Sequence, residues 1–235
     1  MNEQAGRYQG RQFGTYHLLR LIGEGGSAEV YLGKHVYLDT EVAIKILDAR
    51  LKASEFTQFS QEARTLSTLH HPNIVQILDF GLQDDLPFLV MSYAFQGSLG
   101  QRHPPGSRLP LNTIMAYVHP IATALQYAHK KHVVHRDIKP DNLLINRENE
   151  ILLSDFGIAV ATHNTHSLRT QEVIGTVTYM APEQLRGKAR PTSDQYALGV
   201  VVYEWLCGVP PFDGAPIEVA MHHPRCSATT PRAHA

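Results

Sequence analysis

The hydrophobic residues change their spacing near Gln96, and this change constrains the fold more than any other feature. From Tyr16 to Leu47 short β-type runs alternate with the turn-prone strings GEGG and YLDT, and NIVQILDFG and FLVMSYA continue that pattern. Only Ser54 to Leu69 departs from it, with apolar residues at helical spacing. After Gln96 helical patterns dominate, as between Asn112 and His129. A sheet-rich unit followed by a helical unit predicts an α+β chain of two lobes, with a hinge near Ser92 to Ala94.

Composition excludes several classes of function. The 235 residues are 43% hydrophobic, enough for a core, and 21 basic against 22 acidic residues give a net charge of −1. No basic stripe indicates nucleic-acid binding, and no run of about 20 apolar residues predicts a membrane span. The N-terminal MNEQAGRYQGRQFG lacks the apolar run of a signal peptide. Two distant cysteines, Cys207 and Cys226, are typical of a reducing compartment, so we expect a cytoplasmic protein.

Four short strings carry the chemistry. They are GEGGSAEV at Gly23–Val30, VAIK ending at Lys45, HRDIKPDN at His135–Asn142 and DFG at Asp155–Gly157. Glycines let a hairpin backbone approach phosphates, a lysine neutralises them, and Asp and Asn oxygens suit a hard cation. Each string alone is a weak signal, and no GxxxxGK[ST] string indicates a P-loop NTPase. Together, in this order, they indicate phosphoryl transfer.

The order and spacing of these strings resemble the eukaryotic-like serine/threonine protein kinases of bacterial type over Tyr16–Phe212. The resemblance implies a two-lobed protein kinase-like fold, with a β-rich N-lobe at 13–92 and a helical C-lobe at 93–221. The kinase pattern stops after PPFDGAPIEVAM, so we expect a C-lobe that lacks its last helices. We also expect a flexible N-terminus at 1–12 and a disordered tail at 222–235.

The resemblance implies four catalytic residues. Asp137 would accept or orient the proton of a substrate hydroxyl, and Lys139 would neutralise charge on the transferring phosphoryl group. A lysine at that place marks serine/threonine kinases. Glu62 falls on the inward face of its helix and would form an ion pair with Lys45, which would hold the α- and β-phosphates.

The implied cofactors are ATP and Mg²⁺. Asn142 and Asp155 would hold the metal. The residues expected around the nucleotide are Ile22, Gly23, Glu24, Gly25, Gly26, Ser27, Ala28, Glu29, Val30, Ala43, Lys45, Met91, Ser92, Ala94 and Leu144.

Regulation is implied at three positions. Arg136 precedes the catalytic aspartate, and its guanidinium suits a phosphothreonine. Thr170, by its spacing ahead of VIGT, is the expected activating phosphosite, whereas Thr176 is expected to have a structural role. Glu183 of APE is expected to be unpaired, because no arginine of this chain matches its usual partner in the family.

Two buried polar residues complete the implied site. Asp194 would anchor the catalytic loop from a buried helix. His135 would be a core residue rather than a proton-transfer group, stacked with Phe156, Leu66 and Leu78.

Four functions are compatible with these features. The first is an active serine/threonine kinase that phosphorylates protein hydroxyls and its own activation loop. The second is an ATP-binding but inactive scaffold, although such proteins usually lose one of Lys45, Asp137 and Asp155, which this chain keeps. The third is a damaged fragment without stable function. The fourth, a small-molecule kinase, is disfavoured by GTVTYMAPEQ, which would dock a peptide.

Overall fold

The computed structural model describes residues 6–25, 28–48, 50–156 and 177–212. Its N-terminal part is an antiparallel sheet of six strands in the order β1-β2-β3-β4-β6-β5. The strands are β1 (Gln12–Phe13), β2 (Tyr16–Gly25), β3 (Ala28–His35), β4 (Glu41–Leu47), β5 (Ile77–Gln83) and β6 (Leu86–Ser92). One helix, α1 (Ala53–Ser67), connects β4 to β5.

Side chains of β4 alternate between the two faces of the sheet. Ile44 and Ile46 belong to the core on one face. Ala43 and Leu47 belong to clusters on the opposite face, and the period of two places Lys45 there with them. The apolar strand β4 therefore places the Lys45 side chain on the face of the sheet that α1 covers.

Helix α1 packs on that face through side chains one turn apart. Phe59 and Ala63 are fully buried and share a cluster with Leu89 of β6. Leu89 is the cross-strand partner of Lys45, so helix and lysine meet over the same part of the sheet.

The C-terminal part is helical around a small two-stranded sheet. Its elements are α2 (Leu99–Arg102), α3 (Leu111–Lys130), β7 (Leu143–Ile145), β8 (Ile151–Leu153), α4 (Pro182–Leu185) and α5 (Pro191–Cys207). Proline opens α5, and Gly208 ends it with a left-handed φ of 80°, a conformation that favours glycine. Helices α3 and α5 pack together through a core that includes Ile121, Val201 and Trp205.

The α+β, two-lobed architecture predicted from the spacing of apolar residues is confirmed. The structure places residues 6–12 of the predicted flexible stretch at 1–12 against the sheet. Tyr8 is 7% exposed, its N–H donates to the Tyr31 hydroxyl over 2.9 Å, and β1 pairs with β2. An aromatic residue that completes the sheet core offsets the entropy of ordering this segment.

The expected loss of the last C-lobe helices and the expected tail at 222–235 fall beyond residue 212 and lie outside the described residues. Within the described part of the chain, no helix combines the length and the hydrophobicity needed to span a membrane.

Candidate active site

An apolar cluster lies where the two lobes meet. Its members come from the sheet, the segment just before β5, the hinge, β7 and β8, and they are Ala43, Val75, Met91, Ala94 and Leu152 with Ile22, Val30, Ile77, Tyr93 and Leu144. The structure thus brings together six of the predicted nucleotide residues. Reasoning from sequence missed Val75, Ile77, Tyr93 and Leu152, which lie in apolar runs that do not distinguish a cleft wall from a core. An apolar slot between two lobes suits a flat aromatic base.

The predicted phosphate-binding hairpin is formed by the ends of β2 and β3. Gly23 pairs with Val30, Glu24 with Glu29, and Gly25 with Ala28. The turn residues Gly26 and Ser27 lie outside the described residues. Ser92, also predicted at the nucleotide, lies at the end of β6, where its hydroxyl accepts the N–H of Gln76 over 3.1 Å.

Lys45 forms its ion pair with Asp155, not with Glu62. The distance from Nζ to Oδ1 is 2.7 Å, and the two side chains are 21% and 33% exposed. Burial, the largest single effect, raises the pKa of Asp155, but the charge and the hydrogen bond of Lys45, with smaller contributions from other groups nearby, together bring the pKa below its usual value. The predicted Lys45–Glu62 pair is therefore wrong for this conformation, because a second carboxylate holds the ammonium.

Glu62 is consequently an unusual carboxylate. Its Oε2 is buried and lacks a hydrogen-bond partner. Burial raises the pKa of Glu62, partly opposed by the charge of Arg136 and by a hydrogen bond from Gln58. The helix face was predicted correctly, but which of two nearby carboxylates binds the lysine depends on backbone geometry that no spacing rule specifies.

The loop at His135–Asn142, which carries the predicted catalytic residues and is called the catalytic loop below, holds Asp137 by one of its carboxylate oxygens. Oδ2 accepts a hydrogen bond from Asn142 Nδ2 over 2.8 Å and lies 3.0 Å from Lys139 Nζ. The Asn142 amide also donates to the backbone carbonyl of Asp137 over 2.8 Å. These contacts fix the carboxylate and leave its Oδ1 as the oxygen that neither contact uses. Asp137 is 31% exposed, so a substrate can reach it.

His135 and Asp194 support this loop from below. Asp194, 1% exposed, accepts the backbone N–H groups of His135 and Arg136 over 2.8 Å each, and His129 Nε2 over 2.7 Å. The His135 ring is fully buried, and burial lowers its pKa. Its Nε2 donates to the Ser154 carbonyl over 2.7 Å, so its Nδ1 accepts the Asp137 N–H over 3.2 Å. This neutral ring is a structural support.

The predicted column of stacked residues is right in part. The rings of His135 and Phe156 lie 4.5 Å apart, and Leu66 packs against the same cluster. Leu78 does not, because its side chain is 53% exposed, and its neighbour Ile77 packs inward instead. The run NIVQILDFG places two large aliphatic residues side by side, so alternation alone does not say which one is buried.

Glu183 is not unpaired. The Ser193 hydroxyl donates to its Oε1 over 2.5 Å. This hydrogen bond is the main cause that lowers the pKa of Glu183, with smaller contributions from Arg190 and Arg186. The expectation failed because it considered only an arginine as partner, whereas the partner is a buried serine of α5.

Of the three regulatory residues, only Arg136 lies in the described part of the chain, and it is exposed. Thr170 and Thr176 lie outside the described residues.

Comparison with known proteins decides the family. The protein kinase domain model matches residues 16–230. The chain belongs to the protein kinase family. It is 42% identical over 224 residues to the serine/threonine-protein kinase PrkC of Bacillus subtilis, covering 94% of this chain and 34% of PrkC. It is 38% identical over 217 residues to the serine/threonine-protein kinase PknL of Mycobacterium bovis, covering 91% of this chain and 54% of PknL.

A solved protein kinase has the same fold. The PknI kinase domain of Mycobacterium tuberculosis aligns with a TM-score of 0.70 and 29% identity, covering 87% of this chain and 78% of that one. The kinase-like chain thus spans about a third of the length of PrkC and about half of the length of PknL.

A protein kinase uses ATP and a divalent metal, and the residues present fit both. In the described ranges no group of three or more His, Cys, Asp or Glu residues forms a metal cage. Ser154, next to Asp155 in the chain, donates both its N–H and its hydroxyl to the Asn142 backbone carbonyl, so the backbone segments that carry one carboxylate and one amide are hydrogen-bonded to each other. A divalent metal that also contacts substrate phosphates needs only one or two such protein oxygens.

Proposed function

We propose that this protein kinase is an active serine/threonine protein kinase that transfers the γ-phosphoryl group of ATP to hydroxyl groups of proteins. The observation that supports it best is the fixed Asp137, with Oδ2 held by Asn142 and Lys139 and with Oδ1 left for a substrate proton. Positioning of this kind is most of what a kinase contributes to catalysis.

The residues divide the reaction between them. The apolar cluster of the cleft binds the base, and the hairpin ending at Gly25 covers the phosphates. As the hydroxyl oxygen bonds to the γ-phosphorus, the bond from phosphorus to ADP breaks and Asp137 takes the hydroxyl proton. Lys139, 22% exposed beside Asp137, lies where it offsets negative charge on the transferring group.

Asn142 and Asp155 are the residues proposed to hold Mg²⁺, which would offset negative charge on the phosphates when bound. The Asp155 carboxylate that would serve the metal is the one that pairs with Lys45 in the structure, so the two roles would compete. Lys45 would then pair with the phosphates and with Glu62, whose buried Oε2 lacks a partner. The ion pair seen in the structure is thus proposed as the resting arrangement of the site.

Arg136 is proposed as the receptor for a phosphate on Thr170, because its guanidinium is exposed beside the catalytic loop. Protein substrates with Ser or Thr hydroxyls are the proposed partners. A cytoplasmic location is proposed because the reaction consumes ATP.

The test incubates the whole chain with Mg²⁺, labelled ATP and dephosphorylated casein. Asp137→Asn is the test variant, and Asp85→Asn, an exposed site in the β5–β6 hairpin, is the control. We expect label on casein and on Thr170 or its neighbours with the wild type and the control only. ATP binding without label in the wild type would overturn the proposal and favour a scaffold, and absence of both would favour a fragment without function.

A further inference from the structure

The backbone at Arg136, the residue just before Asp137, is held in an unusual conformation. Arg136 has a φ of 71°, in the left-handed region that side chains other than glycine rarely adopt. Such backbone persists only where surrounding contacts determine it. On its N-terminal side, the Arg136 N–H donates to Asp194 Oδ1 over 2.8 Å.

The contact on the other side comes from a different element. Gln184 of α4 donates its Nε2 to the Arg136 carbonyl over 2.5 Å. That carbonyl belongs to the same planar unit as the Asp137 N–H, which donates to His135 Nδ1 over 3.2 Å. Gln184 and His135 therefore form hydrogen bonds to opposite edges of the peptide plane between Arg136 and Asp137. Asp137, the proposed catalytic base, is attached to this plane.

Helix α4 is itself hydrogen-bonded to the first turn of α5. Next to Gln184, Glu183 accepts the Ser193 hydroxyl, and Ser193 is fully buried beside Asp194. The Ser193 hydroxyl also accepts the Arg190 N–H over 3.0 Å. Two routes thus run from the start of α5 to Asp137: one through Asp194, and a second through Ser193, Glu183 and Gln184.

We propose that Gln184 is a positioning residue for Asp137, through which α4 fixes the direction of the Asp137 carboxylate. This inference rests on the proposed kinase activity. The contact requires a hydrogen-bond donor at this position, because the partner is a carbonyl acceptor. A carboxylate would present a second acceptor to it, and a thioether would present no donor.

The test compares two variants of the full chain that keep the length of the side chain. Gln184→Glu and Gln184→Met both remove the donor, but only the first adds charge. Gln126→Glu, at an exposed position of α3, is the control for charge. The readouts are kcat and the KM for ATP with Mg²⁺ and dephosphorylated casein, the melting temperature, and hydrogen exchange of the Asp137 amide.

We expect both variants at 184 to lower kcat by about fivefold to tenfold, the size of one lost hydrogen bond. We also expect the KM for ATP and the melting temperature to stay close to wild type, and the Asp137 amide to exchange about fivefold faster. The control should match the wild type in all four.

A kcat within twofold of wild type in both variants would overturn the inference, and so would unchanged exchange at Asp137. A fall in Gln184→Glu alone would assign the effect to charge and would also refute it. If the wild type transfers no phosphate, the proposed function fails, and the exchange measurement alone then decides whether Gln184 positions Asp137.

Discussion

At the scale of a single residue, Glu62 lowers the stability of the folded protein. Its Oε2 is buried without a partner, and burial raises its pKa above the unfolded value. A carboxylate with a raised pKa destabilises the folded state once it ionises, so the cost is absent below the unfolded pKa and complete above the folded one. We expect Glu62→Gln to raise the free energy of unfolding at pH 7 by about 1 kcal/mol, while kinase activity falls.

Urea denaturation at pH 7 and at pH 4 measures this effect. The gain should shrink at pH 4, where the wild-type carboxylate takes up its proton. Glu148→Gln, an exposed position in the β7–β8 turn, should change little at either pH. A Glu62→Gln variant less stable than wild type at pH 7 would contradict the account of Glu62 as a carboxylate whose burial is only partly compensated.

The same scale shows what could be predicted from residues alone. The spacing of HRDIKPDN places Asp137 and Asn142 in one loop, and the structure joins them by two hydrogen bonds. The partner of Lys45 could not be predicted, because the choice between Glu62 and Asp155 depends on how far a helix and a loop approach one strand. Gln184 was missed for a related reason: its partner is a backbone carbonyl, which has no signature in the sequence.

At the scale of elements, α5 supports the active site through one buried aspartate. Asp194 accepts two backbone N–H groups of the catalytic loop and one imidazole N–H. An asparagine would turn one acceptor into a donor that faces another donor. Since hydrogen bonds to a charged group contribute about 1.5–3 kcal/mol each, we expect Asp194→Asn to lower the free energy of unfolding by about 2 kcal/mol or more and to abolish most activity.

The urea midpoint and the kcat with casein check this expectation together. Asp85→Asn supplies the same chemical change at an exposed hairpin position and should leave both quantities unaltered. Wild-type kcat in Asp194→Asn would show that the catalytic loop keeps its shape without the anchor.

Helix α4 depends on α5 through Ser193 and Glu183. The hydrogen bond from Ser193 is the main cause that lowers the pKa of Glu183. A lowered carboxyl pKa gives stability above the unfolded pKa that is lost as the pH falls through the folded pKa. We therefore expect Glu183→Gln to be less stable than wild type at pH 7, with a difference that fades below about pH 4.

A double-mutant cycle with Ser193→Ala isolates the bond, whose removal should cost about 1 kcal/mol. Measured by urea denaturation, the effects of Ser193→Ala and Glu183→Ala should not add, because each removes the same contact. Strict additivity would mean that the two side chains do not interact in solution.

At the scale of the whole molecule, the order of strands and helices could be read from the period of the apolar residues, because each lobe buries one face of its elements. The contacts between lobes could not, since they involve residues without a periodic pattern. Arg147, in the β7–β8 turn of the C-lobe, lies 3.5 Å from Glu41 at the start of β4. Its guanidinium carbon also lies 3.5 Å from the ring centroid of Phe95, just past the hinge.

Magnitudes decide which of these two contacts of Arg147 contributes more, the ion pair with Glu41 of the N-lobe or the stacking on Phe95 within the C-lobe. The ion pair is exposed, at 62% for Arg147 and 38% for Glu41, and exposed pairs contribute about 0–1 kcal/mol and weaken with salt. Stacking on Phe95 contributes about 0.5–1 kcal/mol and also covers apolar surface. We expect Glu41→Gln to leave the free energy of unfolding and the KM for ATP near wild type. We expect Arg147→Ala to lower the free energy of unfolding and to raise the KM for ATP. Urea denaturation and kinetics at about 0.05 M and about 0.5 M salt check both expectations. If the two variants had equal effects that vanished at high salt, the ion pair would be the more important contact.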